Sequence, residues 1–317
     1  MKNIYSNIIN FNSRNLNKII NILKKNGVIG LPTETVYGLA GNAYSKSSIQ
    51  KIFATKKRLK KNPLIIHYYD LCRAKEDVVF DKKFYKIYKK FSPGPITYIV
   101  NKKVNSKINS IATANLKTVG IRFPKNKIIR KILKNLSFPL AMPSANKSSG
   151  VSPVTPEDVS EEFKDKIKVI KGGVSKIGIE STVINLVGPI AILRPGKITP
   201  KQIEKILKIK IKFSLKQKII KSPGSLKKHY SPGIPMYLNM KKCPKKYAFI
   251  TFGAKYPVTR NSFNLSKKSN LNEAARNLYK FFRNIKKKGY KKIYVCKIPN
   301  NGIGYAINDR LKRAAKK

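Results

Sequence analysis

In the stretch Leu31-Pro32-Thr33-Glu34-Thr35-Val36-Tyr37-Gly38, two hydroxyls flank a single carboxylate. Read as an extended segment, it projects Thr33 and Thr35 to one face and Glu34 to the other, because side chains alternate along a strand. Standing alone, it reads equally well as an edge strand with solvated threonines. Lys56-Lys57-Arg58 follows. Lysine suits phosphate oxygens as a point charge and arginine as a planar fork. The chain has 58 lysines against 11 arginines, so a lysine pair says little and Arg58 says more. His67, one of two histidines, closes the apolar run Leu64-Ile65-Ile66. It is either a satisfied structural residue or a polar contact at the edge of a sheet.

The elements that position these residues read as alternating strands and helices. Leu16, Ile19, Ile20 and Leu23 recur at helical spacing, and Asn26-Gly27 supplies a stop. Val28 to Leu31 is a short strand, and Ser47 to Thr55 a helix capped by Ser47 or Ser48. Leu64 to His67, Ile96 to Val100, Val119 to Phe123 and Val183 to Leu186 are further strands, with a helix over Phe84 to Phe91. The mixture predicts an α/β domain layered around a sheet. Ser222-Pro223-Gly224 and Ser231-Pro232-Gly233 then punctuate a polar linker over residues 214–235. A strand at Tyr247 to Phe252, a helix at Leu271 to Ile285 and a strand at Lys292 to Ile298 predict a second, smaller α/β domain over residues 236–317.

Composition bounds the function classes. The chain has 317 residues, 41% of them hydrophobic, which suits two domains with ordinary cores. Cys72, Cys243 and Cys296 form no CxxC pair, and no apolar run approaches the length of a membrane span. Both features predict a cytoplasmic protein with reduced thiols. The formal charge is +55, and the lysine is spread along the whole chain together with abundant Asn and Ile. That pattern fits AT-rich codon usage better than a built RNA surface, which favours clustered arginine and stacking aromatics. Non-specific affinity for RNA is the expected side effect. There is no GxxxxGK[ST] phosphate loop and no His/Cys cluster of metal-ligand spacing.

Further motifs follow in order: Asn62-Pro63-Leu64-Ile65-Ile66-His67, Pro93-Gly94-Pro95-Ile96-Thr97, Gly120-Ile121-Arg122-Phe123-Pro124, Pro143-Ser144-Ala145-Asn146, Glu180-Ser181-Thr182-Val183 and Leu193-Arg194-Pro195-Gly196. With the two earlier ones, their order and spacing resemble the Sua5/YrdC family of threonylcarbamoyl-AMP synthases. The tail is similar to the extra domain of the long Sua5 form, through Lys228-His229-Tyr230-Ser231-Pro232, Ala275-Arg276-Asn277-Leu278-Tyr279 and Gly302 to Arg310. Small departures exist, such as Leu59 where proline is common.

The resemblance implies a YrdC-like catalytic domain over residues 1–213, with a twisted mixed sheet and helices. It implies a linker or lid over 214–235 and a smaller Rossmann-like α/β domain over 236–317. The implied reaction is a nucleotidyl transfer. L-Threonine, bicarbonate and ATP give threonylcarbamoyl-AMP and pyrophosphate, for the threonylcarbamoyladenosine modification of tRNA at position 37. Implied threonine contacts are Thr33 or Thr35, His67, Arg122 (pairing the carboxylate), Met142 and Ser181. Lys56, Arg58, Ser144, Asn146 and Arg194 would surround the ATP phosphates, with Asn62, Thr118 and Ser152 adding polar contacts. Tyr230 would reach over the nucleotide from the linker. Mg2+ is implied only as the companion of ATP, and a threonylcarbamoyl transferase complex as the downstream acceptor. Two rival readings are a YrdC-like RNA-binding module and a hydrogenase-maturation carbamoyl transferase. The first would not need the threonine-side residues. The second normally carries acylphosphatase and zinc-finger segments, which this sequence lacks.

Overall fold

The structure, a computed structural model, describes residues 5–164, 166–214 and 229–316. Helix α1 (Ser13–Lys24) is opened by Asn12, whose side chain accepts from the Asn15 N–H. Its apolar stripe of Leu16, Ile19, Ile20 and Leu23 is buried, so the helical spacing in the sequence is realised. Helix α2 (Lys46–Lys56) is capped by Ser45 and not by the predicted Ser47 or Ser48. Ser48 supplies the N–H that the cap receives.

The strands of the first unit are β1 (Ile8–Asn10), β2 (Ile29–Leu31), β3 (Gly38–Asn42), β4 (Ile65–His67), β5 (Val78–Val79) and β6 (Ile96–Lys102). They continue with β7 (Thr118–Arg122), β8 (Leu140–Ala141), β9 (Val169–Lys171), β10 (Thr182–Asn185), β11 (Ala191–Arg194) and β12 (Lys212–Phe213). Together they form a 12-stranded mixed sheet of order β1-β9-β2-β3-β8-β4-β7-β6-β10-β11-β12, with β5 paired to β6. A core containing residues of α1, β2 and helix Lys127–Lys134 covers part of it, and a larger core takes in α2 and helix Lys82–Phe91. This is the predicted α/β layering.

The sheet register brings distant motifs together. β4 and β7 pair in parallel with His67 opposite Arg122. β6 and β10 pair in parallel, and β10 and β11 antiparallel with Val183 opposite Arg194. The segment between β2 and β3 departs from expectation. It is not extended: β2 stops at Leu31, β3 starts at Gly38, and residues 34–36 bend. The Thr33 hydroxyl causes the bend by accepting from the Thr35 and Val36 N–H groups at 3.1 and 3.2 Å. A short side chain that bonds its own backbone competes with the strand ladder.

The second unit holds β13 (Met236–Tyr237), β14 (Ala248–Thr251), β15 (Ser262–Asn264) and β16 (Ile293–Val295) in an all-parallel sheet of order β13-β16-β14-β15. The helices Leu271–Lys287 and Gly304–Ala314 belong to the same unit. Its core is not private. Val36, Val151, Val154, Ile177 and Ile179 of the first unit are buried in the same apolar cluster as Leu278 and Phe282. At the junction Gly178 has φ +82, and a Cβ there would stand 2.5 Å from the Arg276 Cα. Only glycine permits that approach. Of the predicted linker, residues 215–228 lie outside the described residues. Among the described residues no helix is long and apolar enough to cross a membrane.

Candidate active site

A cleft opens where the bend at residues 33–37 meets the ends of β4 and β7, the Met142-Pro143-Ser144 segment and the described end of the linker. Of the threonine-side residues, Thr33, Thr35, His67, Arg122 and Met142 line it. Of the nucleotide-side residues, Arg58, Ser144, Arg194 and Tyr230 do.

The bend is fastened from outside. Ile177 N–H donates to the Glu34 carbonyl, Gly178 N–H to that of Thr35, and Tyr37 N–H to that of Pro153. Thr33 spends its proton on the Val36 carbonyl at 2.6 Å, and its oxygen stands 2.8 Å from that of Thr35. Thr35 must therefore be the donor within that pair, which leaves its lone pairs to face the cleft. Gly38 lets Met142 lie against the bend, since a Cβ there would stand 2.4 Å from Met142 Cγ.

Arg122 is buried and pairs with Glu34 through Nη2 at 2.6 Å, while its Nε is buried without a partner. His67 faces the Ile65 carbonyl through Nδ1 at 3.2 Å. Burial, and then the charge of Arg122, hold its pKa well below the usual histidine value, so the ring is neutral. His229 lines the same cleft with an unpartnered Nδ1, its ring 4.0 Å from that of Tyr230. Burial lowers its pKa to about 3, opposed by Glu180 and aided by Arg58, Lys56 and Arg194.

The side expected to take the nucleotide is rich in cations. Arg58 is pinned by the Asn62 and Pro63 carbonyls at 3.0 and 2.9 Å. Burial and the neighbouring Arg194 lower its pKa to about 9. Arg194 donates to the Ser181 carbonyl and hydroxyl, both at 3.0 Å. Among the described residues Glu180 is the carboxylate that lines the cleft, bonded to Arg310, while Glu34 bonds the cleft residue Arg122 from outside the lining. No salt bridge among the described residues reaches Arg58 or Arg194.

Six expected contacts stand away from the cleft wall. Lys56 is buried behind the Ser144–Asn146 segment and donates to the carbonyls of Ser144 and Asn146. Burial first, then Arg58, lowers its pKa well below the usual value. Asn146 shapes the same loop through the Lys147 and Gly150 carbonyls. Ser152 donates to Glu180, and Ser181 bonds Thr97 and Arg194. Asn62 offers its backbone carbonyl to Arg58, and its Oδ1 is buried without a partner. Thr118 starts β7 while Arg122 ends it, about 13 Å further along at the usual strand rise. The cleft residues absent from the expected contacts are Val36, Tyr37, Pro143, Glu180 and His229, together with Gly38 and Ile65. For Glu34, which the sequence reading placed on the face opposite the threonines, scarcity was the available signal. It is the only acidic residue before Asp70.

The buried histidines carry a stability prediction. In the unfolded chain a histidine titrates near 6.5, at roughly its unperturbed value. His229 in the folded chain does not take the proton until about pH 3. Across that interval the unfolded state binds more protons, so stability falls as pH falls, and His67 acts in the same direction. The midpoint of thermal unfolding should drop between pH 7 and pH 5, above the range of the carboxylates. His229→Asn should flatten that drop. An equal slope in the variant would exclude His229 as a source.

Residues 21–196 match the Sua5/YciO/YrdC family model, whose description reads telomere recombination. Residues 198–316 match the model for the threonylcarbamoyl-AMP synthase C-terminal domain. The chain is 32% identical to the threonylcarbamoyl-AMP synthase of Pyrococcus abyssi, over 92% of each chain. It is 31% identical to that of Bacillus subtilis, over 93% of this chain and 91% of the other. The crystal structure of P. abyssi Sua5 complexed with L-threonine superimposes with a TM-score of 0.90 at 29% identity, covering 97% of both chains. Matched by the two family models over residues 21–196 and 198–316 and by these relatives along nearly its whole length, the chain belongs to the threonylcarbamoyl-AMP synthase family, in the form that carries the C-terminal domain.

Proposed function

We propose that this chain makes threonylcarbamoyl-AMP from L-threonine, bicarbonate and ATP in the cytoplasm, as the first step of threonylcarbamoyladenosine formation on tRNA. One observation carries the reading: Arg58 and Arg194 line the cleft without a carboxylate partner, a desolvated double positive charge that suits polyphosphate. The neutral, hydroxyl-lined side around Thr35, His67 and Arg122 suits a small amino acid. The relatives' names and the L-threonine of the P. abyssi complex point to the same pair of substrates.

In the chemistry we infer, the amine of threonine attacks bicarbonate and water leaves, giving a carbamate. A carbamate oxygen then attacks the α-phosphorus of ATP as the bond to the β-phosphate breaks, and pyrophosphate departs. Arg122 Nε, free of protein partners, would take the threonine carboxylate. The Thr35 oxygen would accept from the ammonium group before it loses its proton. Arg58 and Arg194 would neutralise charge on the polyphosphate, so positioning and electrostatics carry the rate. His229 and Tyr230, drawn into the cleft from the linker, would shield the water-labile carbamate. Among the described residues no cluster of three or more His, Cys, Asp or Glu side chains could hold a metal ion, and Glu34 and Glu180 are each bonded to an arginine. The residues of the cleft therefore do not fit a resident Mg2+, which enters the proposal only on the phosphates of ATP. The downstream transferase complex and non-specific contact with RNA belong to this proposal as well.

The test is product identity. Labelled bicarbonate supplied with threonine and ATP should yield a labelled adenylate whose mass is that of threonylcarbamoyl-AMP. Label confined to unreacted bicarbonate would overturn the reading.

A further inference from the structure

The second unit sends Arg310 and Tyr279 to Glu180 at the back wall of the cleft, and Arg310 is the charged one. Arg310, on the helix Gly304–Ala314, is fully buried. Its Nε donates to Glu180 Oε2 at 3.0 Å, and its Nη1 to the Pro195 carbonyl at 2.7 Å and to Asp309 Oδ2 at 3.0 Å. Its guanidinium carbon stands 5.0 Å from the centre of the Tyr230 ring. Apart from its neighbour Asp309, these partners belong to the first unit and the linker. A side chain whose task was to hold the second sheet together would bond within that sheet.

Glu180 is the pivot. It accepts from Ser152 Oγ at 2.5 Å, from Tyr279 Oη at 3.0 and 3.2 Å, and from Arg310. Burial alone would raise its pKa, but Arg310 first and Arg194 second outweigh burial and hold it below the usual carboxylate value. Arg194 bonds Ser181, the next residue in the chain, and lies beside Pro195, whose carbonyl Arg310 grips. A buried carboxylate stripped of its bonded counterion is costly. Without Arg310, the cation available to replace it is Arg194.

Building on the nucleotide site proposed above, we propose that Arg310 is a positioning residue for polyphosphate. By satisfying Glu180 from the second unit, it leaves the Arg194 guanidinium free to meet the nucleotide. Docking of the second unit thereby sets the charge that the first unit presents in its cleft. The tail is then part of the nucleotide site and not only a cover over it.

The experiment compares binding of α,β-methylene-ATP with Mg2+, by calorimetry, in the full chain and its variants. The methylene bridge prevents pyrophosphate from leaving. Arg310→Met should weaken binding roughly tenfold or more, the scale of a lost charge-assisted contact, while threonine affinity moves much less. Arg310→Met combined with Glu180→Gln should recover most of that loss, because the competing carboxylate is gone. Should the methionine variant not fold, as judged by thermal unfolding, Arg310→Gln with and without Glu180→Gln gives the same comparison. A double variant as weak as the single one would overturn the inference, leaving Arg310 a docking residue alone. Unchanged binding in Arg310→Met would overturn it too. Failure of the unaltered protein to bind the analogue would remove the proposed nucleotide site and this inference together.

Discussion

Arg122→Ala should weaken L-threonine binding by about ten- to a hundredfold, the equivalent of roughly 1.5–3 kcal/mol for a charge-assisted bond. ATP affinity should change far less, since Arg58 and Arg194, the proposed phosphate contacts, are retained. The variant should also be less stable. Arg122 is bonded to the buried Glu34 at 2.6 Å, and removing one partner of a buried pair costs on the order of 3–5 kcal/mol. Arg122→Lys should recover part of both losses, because a point charge can serve Glu34 or a ligand but cannot fork between them. Calorimetry for threonine beside thermal unfolding separates the two effects. Lost stability with intact threonine affinity would make Arg122 purely structural.

Ending the chain after Phe213 should abolish most synthase activity. The first unit holds its own 12-stranded sheet and cores, so the fragment should retain secondary structure. It should nevertheless be less stable than the intact chain. The cut uncovers Val36, Val151, Val154, Ile177 and Ile179, which the second unit buries. It also deprives Glu180 of Arg310 and Tyr279 and removes His229 and Tyr230 from the cleft. Circular dichroism and pyrophosphate release on the fragment test this. Full activity from residues 1–213 would reduce the tail to an appendage.

Periodicity made some helices legible, while Lys127–Lys134, Pro156–Phe163, Pro200–Leu207 and Gly304–Ala314 went unread. The stripe of Leu16, Ile19, Ile20 and Leu23 marks α1, and the helix Leu271–Lys287 begins at the predicted Leu271. Short strands such as β8, two residues long, carry too few side chains to show a period. The bend at Thr33 escaped detection because the competing bonds come from its own hydroxyl, which strand alternation does not weigh. At the site, residue type identified the arginines, yet it could not separate those facing the cleft from the supports behind it. Lys56 and Arg58 are two positions apart, and only Arg58 reaches the wall. Partner choice between distant segments, such as Glu34 with Arg122 or Glu180 with Arg310, is a property of the packed chain.

The most direct test of the account is pyrophosphate release by the full chain with ATP and Mg2+, omitting one substrate at a time. The account predicts release only when threonine and bicarbonate are both present, with each omission returning the signal to background. Equal release without threonine would contradict it, because a cleft that activates ATP without the amino acid would not be a threonylcarbamoyl-AMP synthase site.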